Sequence, residues 1–368
     1  MSRGGRKTPV AGLTHRSSPE VLQELQNEYG SWLAQEGAHS DIIFSSRIRL
    51  ARNLNGFLFP NRASTKEFKG VVERVKEACS NCKTLGDAKV IELEHLTEWD
   101  KKFLVERRLA SPRLIESNHP TLLVVRYAGN LSIMVNEEDH LRIQCLAPGM
   151  DMRGAWRLIS AVDDELEEKL EFCYSNQFGY LTSCPTNTGT GMRVSVFVHL
   201  PALSLKVEIN SFLDKLPDWE IAVRGFYGEG TEPVGDIFQI SNQLTLGNME
   251  TQVLDRMETI AKRLVELEQQ ARAKLLQEDR IKLEDEVFRA VGVLKYARMI
   301  SSLESMKLLS RVRLGLGLGL IDKISSKSLN KLMVLVQPAH LQKIANKKLN
   351  SVERDEFRAK FIREFLQI

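Results

Sequence analysis

The sequence predicts an α+β fold in which a domain built on an antiparallel sheet is followed by an all-helical C-terminal domain. Three observations carry this expectation. From about Thr121, the short apolar runs "TLLVVRY", "LSIMV" and "LRIQCL" are separated by the turn signals Ala128-Gly129-Asn130 and Asn136-Glu137-Glu138-Asp139, the spacing of an antiparallel meander. Strand-like runs resume at "GYLTSC", "RVSVFVHL", "EIAVRGF" and "GDIFQI". Beyond Leu246 strand signals nearly cease, and Val253, Met257, Ile260, Leu264, Leu267 and Ala271 recur in steps of four and three, a heptad-like seam on a long helix.

Taken in order, the chain opens on "MSRGGRKTPVAGLTHRSS", basic and polar with no apolar h-region, so residues 1–25 are expected to form a flexible arm rather than a secretory signal. Next comes "SSRIRLARN", Ser45 to Asn53, which sets Arg47, Arg49 and Arg52 beside the apolar run "DIIF". Guanidinium groups clustered against apolar sequence suggest an anion held jointly, with a solvated basic face as the alternative. Cys79 and Cys82 have metal-ligand or redox spacing, but no second pair or nearby histidine completes a site, which favours a structural role. After the meander, Asp151 caps a helix whose Leu158, Val162, Leu166 and Leu170 recur every four residues. Helical sequence is expected again around Val207 to Lys215, between strands. In the C-terminal region "GLGLGL", Gly315 to Leu320, lacks the Gly-Lys-Ser/Thr of a phosphate loop and the preceding strand of a Rossmann turn, so it reads as a helix–helix connector. The seam on the long helix could pack on the sheet domain or on a partner helix.

Composition narrows the function classes. A chain of 368 residues accommodates two domains. The formal charge is +3, from 51 basic and 48 acidic residues, without a long basic block or zinc framework, which argues against a dedicated nucleic-acid binder. No run of about twenty apolar residues is present to span a membrane. Five cysteines in so long a chain do not make a disulfide scaffold, and a reduced, cytoplasmic setting is expected.

Chemistry concentrates in three loops of the sheet domain. "NEEDHLRI", Asn136 to Ile143, sets adjacent glutamates and an aspartate in a turn before Arg142; "CPTNTGTGMR" runs from Cys184 to Arg193; "VRGFYGEG" pairs Arg224 with Glu229. Singly, each is weak, because acids and glycines are ordinary turn residues. Together with "SSRIR" and "ISN", in this order, they resemble the catalytic domain of the phosphagen (guanidino) kinases. That resemblance implies an antiparallel sheet flanked by helices over residues 26–275, and five arginines that clamp the phosphates of ATP with Mg²⁺. The matching positions are Arg47, Arg49, Arg142, Arg193 and Arg224, with Ser45, Ser46, Ile48, Val194, Ser195, Val196, Gly225, Phe226, Tyr227 and Gly228 beside them in the nucleotide site and no protein metal ligand. It also implies that Glu138 and Glu229 orient the acceptor guanidinium and take its proton, and that Cys184 lies against it.

Such a site suits the reaction, since phosphoryl transfer needs positioning and neutralisation of charge rather than covalent help. A guanidinium acceptor begins protonated, with a pKa above about 12, so carboxylates that orient it and accept its proton answer a real difficulty. The chain departs from the family at Gln239, where an acid helps hold the nucleotide, and at Arg108 and Phe197, which correspond to histidines; adenine could stack on either the guanidinium or the phenyl group.

Small-molecule members carry a helical N-terminal domain of about a hundred residues, whereas here "SSRIR" begins at Ser45 and a helical domain, residues 276–368, follows instead. This arrangement is similar to the bacterial protein-arginine kinases, as is "RDEFRA", Arg354 to Ala359, whose Arg354, Asp355 and Arg358 match a phosphoarginine-binding signature. On a helix Arg354 and Arg358 share a face, and a salt-bridged surface helix is the plainer reading. The expected function is therefore ATP-dependent phosphorylation of arginine side chains in proteins. The resemblance further implies a mark for Clp-type proteolysis, regulation of a heat-shock repressor, a zinc-binding activator protein and a Clp-type ATPase as partners, and a possible homodimer. A kinase for free arginine or another small guanidino compound, and a non-catalytic phosphoarginine-binding adaptor, are the alternatives.

Overall fold

The computed structural model describes residues 18–86, 88–126, 129–206, 219–225 and 234–367. Strands β1 (Ile43–Arg52), β2 (Lys89–Glu92), β3 (Leu122–Val125), β4 (Leu131–Val135), β5 (Leu141–Pro148), β8 (Met192–His199), β9 (Ile221–Gly225) and β10 (Ile237–Asn242) form one antiparallel sheet in the order β2-β3-β4-β5-β1-β8-β10-β9. A separate hairpin pairs β6 (Tyr174–Ser175) with β7 (Gly179–Tyr180), so "GYLTSC" contributes two residues to a ribbon rather than a strand to the main sheet. The meander lies where the turn signals put it. The helix expected around Val207 to Lys215 falls outside the described residues.

Strand β1 is central, paired with β5 on one side and β8 on the other. Its side chains alternate, as the two-residue period of a strand requires. Ile48 and Leu50 join Val194, Val196, Ile143 and Cys145 in the main core, beneath the helices Thr65–Ser80, Met152–Glu167 and Glu250–Glu278. The arginines Arg47 and Arg49 point the other way. Asp151 caps Met152–Glu167 by accepting from Gly154 N at 2.8 Å. The seam on Glu250–Glu278 is spent within the chain: Val253, Met257 and Leu264 are buried in the same core, which answers whether it serves the sheet or a partner. Cys79 and Cys82 are buried there too, where burial pushes both thiols up, Cys82 to about 12.

Among the described residues, the opposite face is covered at its two margins. Toward β2 and β3, the helices Ser18–Asn27 and Glu98–Glu106 pack on Leu123, Val125 and Met134. Residues 18–25, expected in a flexible arm, are therefore helical, with Val21, Leu22 and Leu25 buried by apolar contacts that a polar arm would lack. Toward the other end, the C-terminal helices Arg280–Tyr296, Ser302–Gly317 and Ser326–Leu335 pack on Phe44, Leu146, Phe197 and Ile237. The two margins meet at Glu106, whose carboxylate accepts from Ala339 N and His340 N at 2.8 and 2.9 Å and so caps the helix Pro338–Ala345.

"GLGLGL" is not a plain connector. Gly315 and Gly317 lie inside Ser302–Gly317, and a Cβ on Gly315 would come 2.4 Å from Val287 Cγ1. The glycines let two helices approach, and the chain turns only at Gly319, with φ +71°.

Candidate active site

Between the two covered margins a cleft of about 700 Å³ opens over the middle of the sheet. The register of the strands builds its floor. Arg49 on β1 stands opposite Arg193 on β8 and next to Arg142 on β5, which pairs with Ala51; Arg47 faces Ser195; Arg224 on β9 faces Gln239 on β10. All five expected arginines thus line one cleft. Like charges directly opposite each other in a sheet are destabilising, so this arrangement exists for something other than stability. Burial, and then the surrounding arginines, drive the guanidinium pKa values of Arg47 and Arg49 well below their usual range. Since a guanidinium does not give up its proton in practice, the meaning is a strong demand for negative charge. Arg49 Nε and Ser45 Oγ are buried with no hydrogen-bond partner among the described residues, as expected of donors kept for a ligand.

The same alternation removes other residues from the cleft. Arg52 lies on the core face, where it forms a buried ion pair with Asp163 at 2.6 Å and stacks on the Tyr180 ring at 3.5 Å. It is not part of a joint anion site with Arg47 and Arg49. Ile48, Val194 and Val196, expected in the nucleotide site, have their side chains in the core, and Ser46 donates to Gly149 O at 2.8 Å while accepting from Asp151 N. Their side chains cannot reach the cleft; the parity of the strand forbids it. Phe197 is on the cleft side but fully buried, with Arg108 lying over its ring at 4.1 Å and Arg47 at 5.1 Å. Of the two stacking surfaces considered for adenine, the phenyl ring is already covered and the Arg108 guanidinium is the one lining the cleft. Arg108 has φ +58°, a left-handed conformation that side chains rarely adopt, and strain of this kind is characteristic of functional sites. Gly225 ends β9, whereas Phe226, Tyr227, Gly228 and Glu229 fall outside the described residues.

The acceptor side is built from the turn 136–140. Asn136 takes φ +60°, which asparagine tolerates, and its amide donates to Phe68 O and Pro120 O at 3.0 and 2.9 Å. Glu137 and Glu138 then part ways. Glu137 is buried and accepts from Arg142 Nη1 at 2.6 and 2.7 Å and from Ser111 Oγ at 2.6 Å. Burial acts to raise its carboxyl, but Arg142 and these hydrogen bonds outweigh it and hold the pKa below the ordinary range. Glu138 lines the cleft, accepting from Arg113 Nη1 at 3.1 Å.

Asp139 ties the turn to the loop that carries Cys184. It is 2 % exposed and accepts from Asn53 Nδ2 at 2.7 Å and from Ser183 N at 2.6 Å. One carboxylate therefore fixes the end of β1, the acid turn and the cysteine loop together. His140 adds to the joint: Leu54 N–H donates to Nδ1, so Nε2 carries the proton and donates to Leu58 O, both at 3.0 Å. Burial pulls the His140 pKa down to about 4, which keeps it neutral. Cys184 Sγ lies 3.1 Å from Thr186 Oγ1 and lines the cleft near Glu138. Its loop is pinned by Thr245 Oγ1, which donates to Thr186 O and Thr188 O at 3.0 and 2.6 Å. Gly191 needs its glycine, because φ is +64° and a Cβ would come 2.6 Å from Ala51 O. Glu137, Asp139 and His140 were legible only as members of the acid turn and Thr245 carried no signal; Asp139, His140 and Thr245 meet partners more than forty residues away.

In the C-terminal region, Arg354, Asp355 and Arg358 share the helix Ser351–Leu366. Arg358 is buried and donates to Val336 O at 2.9 Å, to Ile300 O at 2.8 Å and to Asp355 Oδ1. Arg354 donates to Leu349 O at 3.0 Å and lies 5.8 Å from the Trp99 ring. The three residues are brought together, but Arg358 is committed to carbonyl groups and to Asp355, which makes it the organiser of the group rather than an open donor. Among the described residues no helix is long and apolar enough to cross a membrane, and no cluster of His, Cys, Asp or Glu is arranged to hold a metal ion.

Comparison with known proteins agrees with this geometry. Residues 70–271 match the family "ATP:guanido phosphotransferase, C-terminal catalytic domain", and residues 280–368 match "Protein-arginine kinase McsB C-terminal domain". The chain is 44% identical over 346 residues to the protein-arginine kinase of Pelotomaculum thermopropionicum, covering 93% of this chain and 97% of that one. It is 45% identical to that of Bacillus subtilis, covering 94% and 95%. Among solved structures, a duplicated taurocyamine kinase from Schistosoma mansoni aligns with a TM-score of 0.59 and 25% identity over 65% of this chain and 36% of that one. A lombricine kinase aligns with a TM-score of 0.57 and 23% identity over 68% and 71%, showing the shared fold.

Proposed function

The chain belongs to the protein-arginine kinases of the ATP:guanido phosphotransferase family, and from that premise we propose how its cleft performs arginine phosphorylation. The observation that carries the reading is the row of five arginines across β5, β1, β8 and β9, with the buried Arg49 Nε left without a hydrogen-bond partner among the described residues. They would hold the phosphates of ATP, with Ser45 and Ser195 beside them and Arg108 against the base. The residues fit a phosphate chain, and Mg²⁺ would be carried by the nucleotide's phosphates. When bound, it would supply further neutralisation of phosphate charge.

On the acceptor side, Glu138 and Glu229 would take the guanidinium of a substrate arginine by its planar fork, with Cys184 beside it. A guanidinium nitrogen attacks the γ-phosphorus; the new N–P bond forms as the bond to the β-phosphate oxygen breaks, ADP departs, and the nitrogen's proton passes to a carboxylate. The clamp neutralises the phosphoryl oxygens throughout, without reorganising.

The wider role follows the family resemblance: phosphoarginine would mark cytoplasmic proteins for a Clp-type protease and regulate a stress-response repressor, with a zinc-binding activator as partner. Phosphoarginine would be read by Arg354 and Asp355, with Arg358 orienting Asp355. A homodimer would use surfaces other than the buried seam of Glu250–Glu278.

The test is mass spectrometry under non-acidic conditions on an unstructured arginine-containing protein incubated with the enzyme and Mg-ATP, beside a parallel reaction with free arginine. A gain of roughly 80 Da, one phosphoryl group, on protein arginines alone supports the reading. Transfer to free arginine alone would make the enzyme a small-molecule guanidino kinase. Glu138→Gln and Glu229→Gln are expected to abolish transfer while retaining nucleotide binding; full activity in both would overturn the roles given to them.

A further inference from the structure

We propose that Arg113 is a built-in stand-in for the acceptor: its guanidinium occupies Glu138 until a substrate arginine displaces it, and this competition sets the apparent affinity for the acceptor. The inference rests on the reading of Glu138 as an acceptor-orienting carboxylate. Arg113 Nη1 donates to Glu138 Oε1 at 3.1 Å, and both residues line the cleft with Cys184.

The contact is placed by the backbone. Ser111 caps the short helix Pro112–Ile115, accepting from Leu114 N at 3.1 Å, and its hydroxyl also donates to Glu137 Oε1 at 2.6 Å. Glu137 is in turn held by Arg142. Two groups of one segment thus engage the two neighbouring glutamates: Ser111 takes the buried Glu137, and Arg113 takes the accessible Glu138.

A carboxylate shaped to receive a guanidinium fork receives a resident one equally well, because the donor geometry and charge are the same. The side chains of Arg113 and Glu138 are 62 % and 30 % exposed, so the pair sits in water and yields readily. A tethered guanidinium is present at high effective concentration, so every incoming acceptor must displace it, and the apparent affinity falls by the same factor for free arginine and for an arginine within a polypeptide. Arg113 is in this sense a positioning residue acting through Glu138.

The experiment measures steady-state kinetics of the full-length enzyme with an unstructured arginine-containing peptide and with free arginine, comparing wild type, Arg113→Gln and Arg113→Lys. Arg113→Gln is expected to lower KM for the peptide by roughly two- to fivefold, the worth of one exposed ion pair. Its KM for free arginine is expected to fall by about the same factor, and Arg113→Lys to lie between, since an ammonium keeps the charge without the fork. The difference in KM should shrink at high salt. A KM that is unchanged or raised in Arg113→Gln, with kcat reduced, would overturn the proposal and make Arg113 a support for Glu138. Glu138→Gln measured alongside separates the two levels: if wild type transfers and Glu138→Gln does not, the reading of Glu138 stands whatever Arg113 does. Transfer by Glu138→Gln at the wild-type rate would remove both.

Discussion

Replacing Arg49 by glutamine should make the ligand-free protein more stable and the nucleotide complex weaker. Arg49 faces Arg193 across the β1–β8 ladder and has Arg47 and Arg142 nearby. The two side chains leave the ladder on the same face, and unit charges held roughly 5–8 Å apart repel by roughly 2–3 kcal/mol at an effective dielectric constant of about 20. Glu137, in the cleft wall, opposes this by its attraction for Arg49. Removing the charge also ends the cost of burying it. The balance left after the lost attraction to Glu137 is a stabilisation of about 1–3 kcal/mol, which in a domain of this size raises the melting temperature by roughly 2–4 °C per kcal/mol. Binding should move the other way, because a hydrogen bond to a charged group is worth about 1.5–3 kcal/mol, or roughly a ten- to hundredfold loss of affinity for Mg-ADP. Thermal unfolding without ligand, followed by calorimetric titration with Mg-ADP, reads both quantities on the same preparation. A melting temperature lowered by several degrees with unchanged nucleotide affinity would refute the reasoning, since Arg49 would then be a structural residue.

Arg52 gives the opposite expectation from three residues away. Arg52→Met strands Asp163 in the core and should destabilise the fold by about 3–5 kcal/mol while the remaining folded protein binds nucleotide normally, as denaturant unfolding and calorimetry would show. His140 has a folded pKa of about 4 against an ordinary value of 6.5, so the unfolded chain binds more protons between those limits. Stability is therefore fully present above pH 6.5 and is lost as pH falls toward 4, by roughly 3 kcal/mol from this residue, and a pH series of unfolding midpoints should be flatter in His140→Gln than in wild type. Two helical glycines should respond with opposite signs: Gly292, with open space where a Cβ would go, gains about 0.5–1 kcal/mol on change to alanine, whereas Gly315→Ala drives a methyl group into Val287 and costs about 1–3 kcal/mol, both read from urea midpoints.

The acids around the cleft separate what local pattern reveals from what it cannot. "NEED" reads as a turn with two glutamates, and nothing in the string says that Glu137 will be buried under Arg142 and Ser111 while Glu138 faces the cleft. Arg113 has no sequence signal at all; it matters because a cap residue two positions earlier is tied to the same turn. Asp139 likewise acts through Asn53 and Ser183, 86 and 44 residues away.

By itself the sequence determined many of the elements and their faces. Apolar alternation and turn residues place β3 to β5, a period of 3.6 places Met152–Glu167 and Glu250–Glu278, and the five motifs name the arginines that meet at the cleft. These are local or near-local properties, set by the two periodicities of the backbone. The tertiary structure alone decided what each face meets. In β1 the same residue type serves two ends: Arg47 and Arg49 line the cleft, and Arg52 is sealed in the core against Asp163. Strand parity and the placing of one helix make that difference, because a charge can be buried only where the fold delivers its partner.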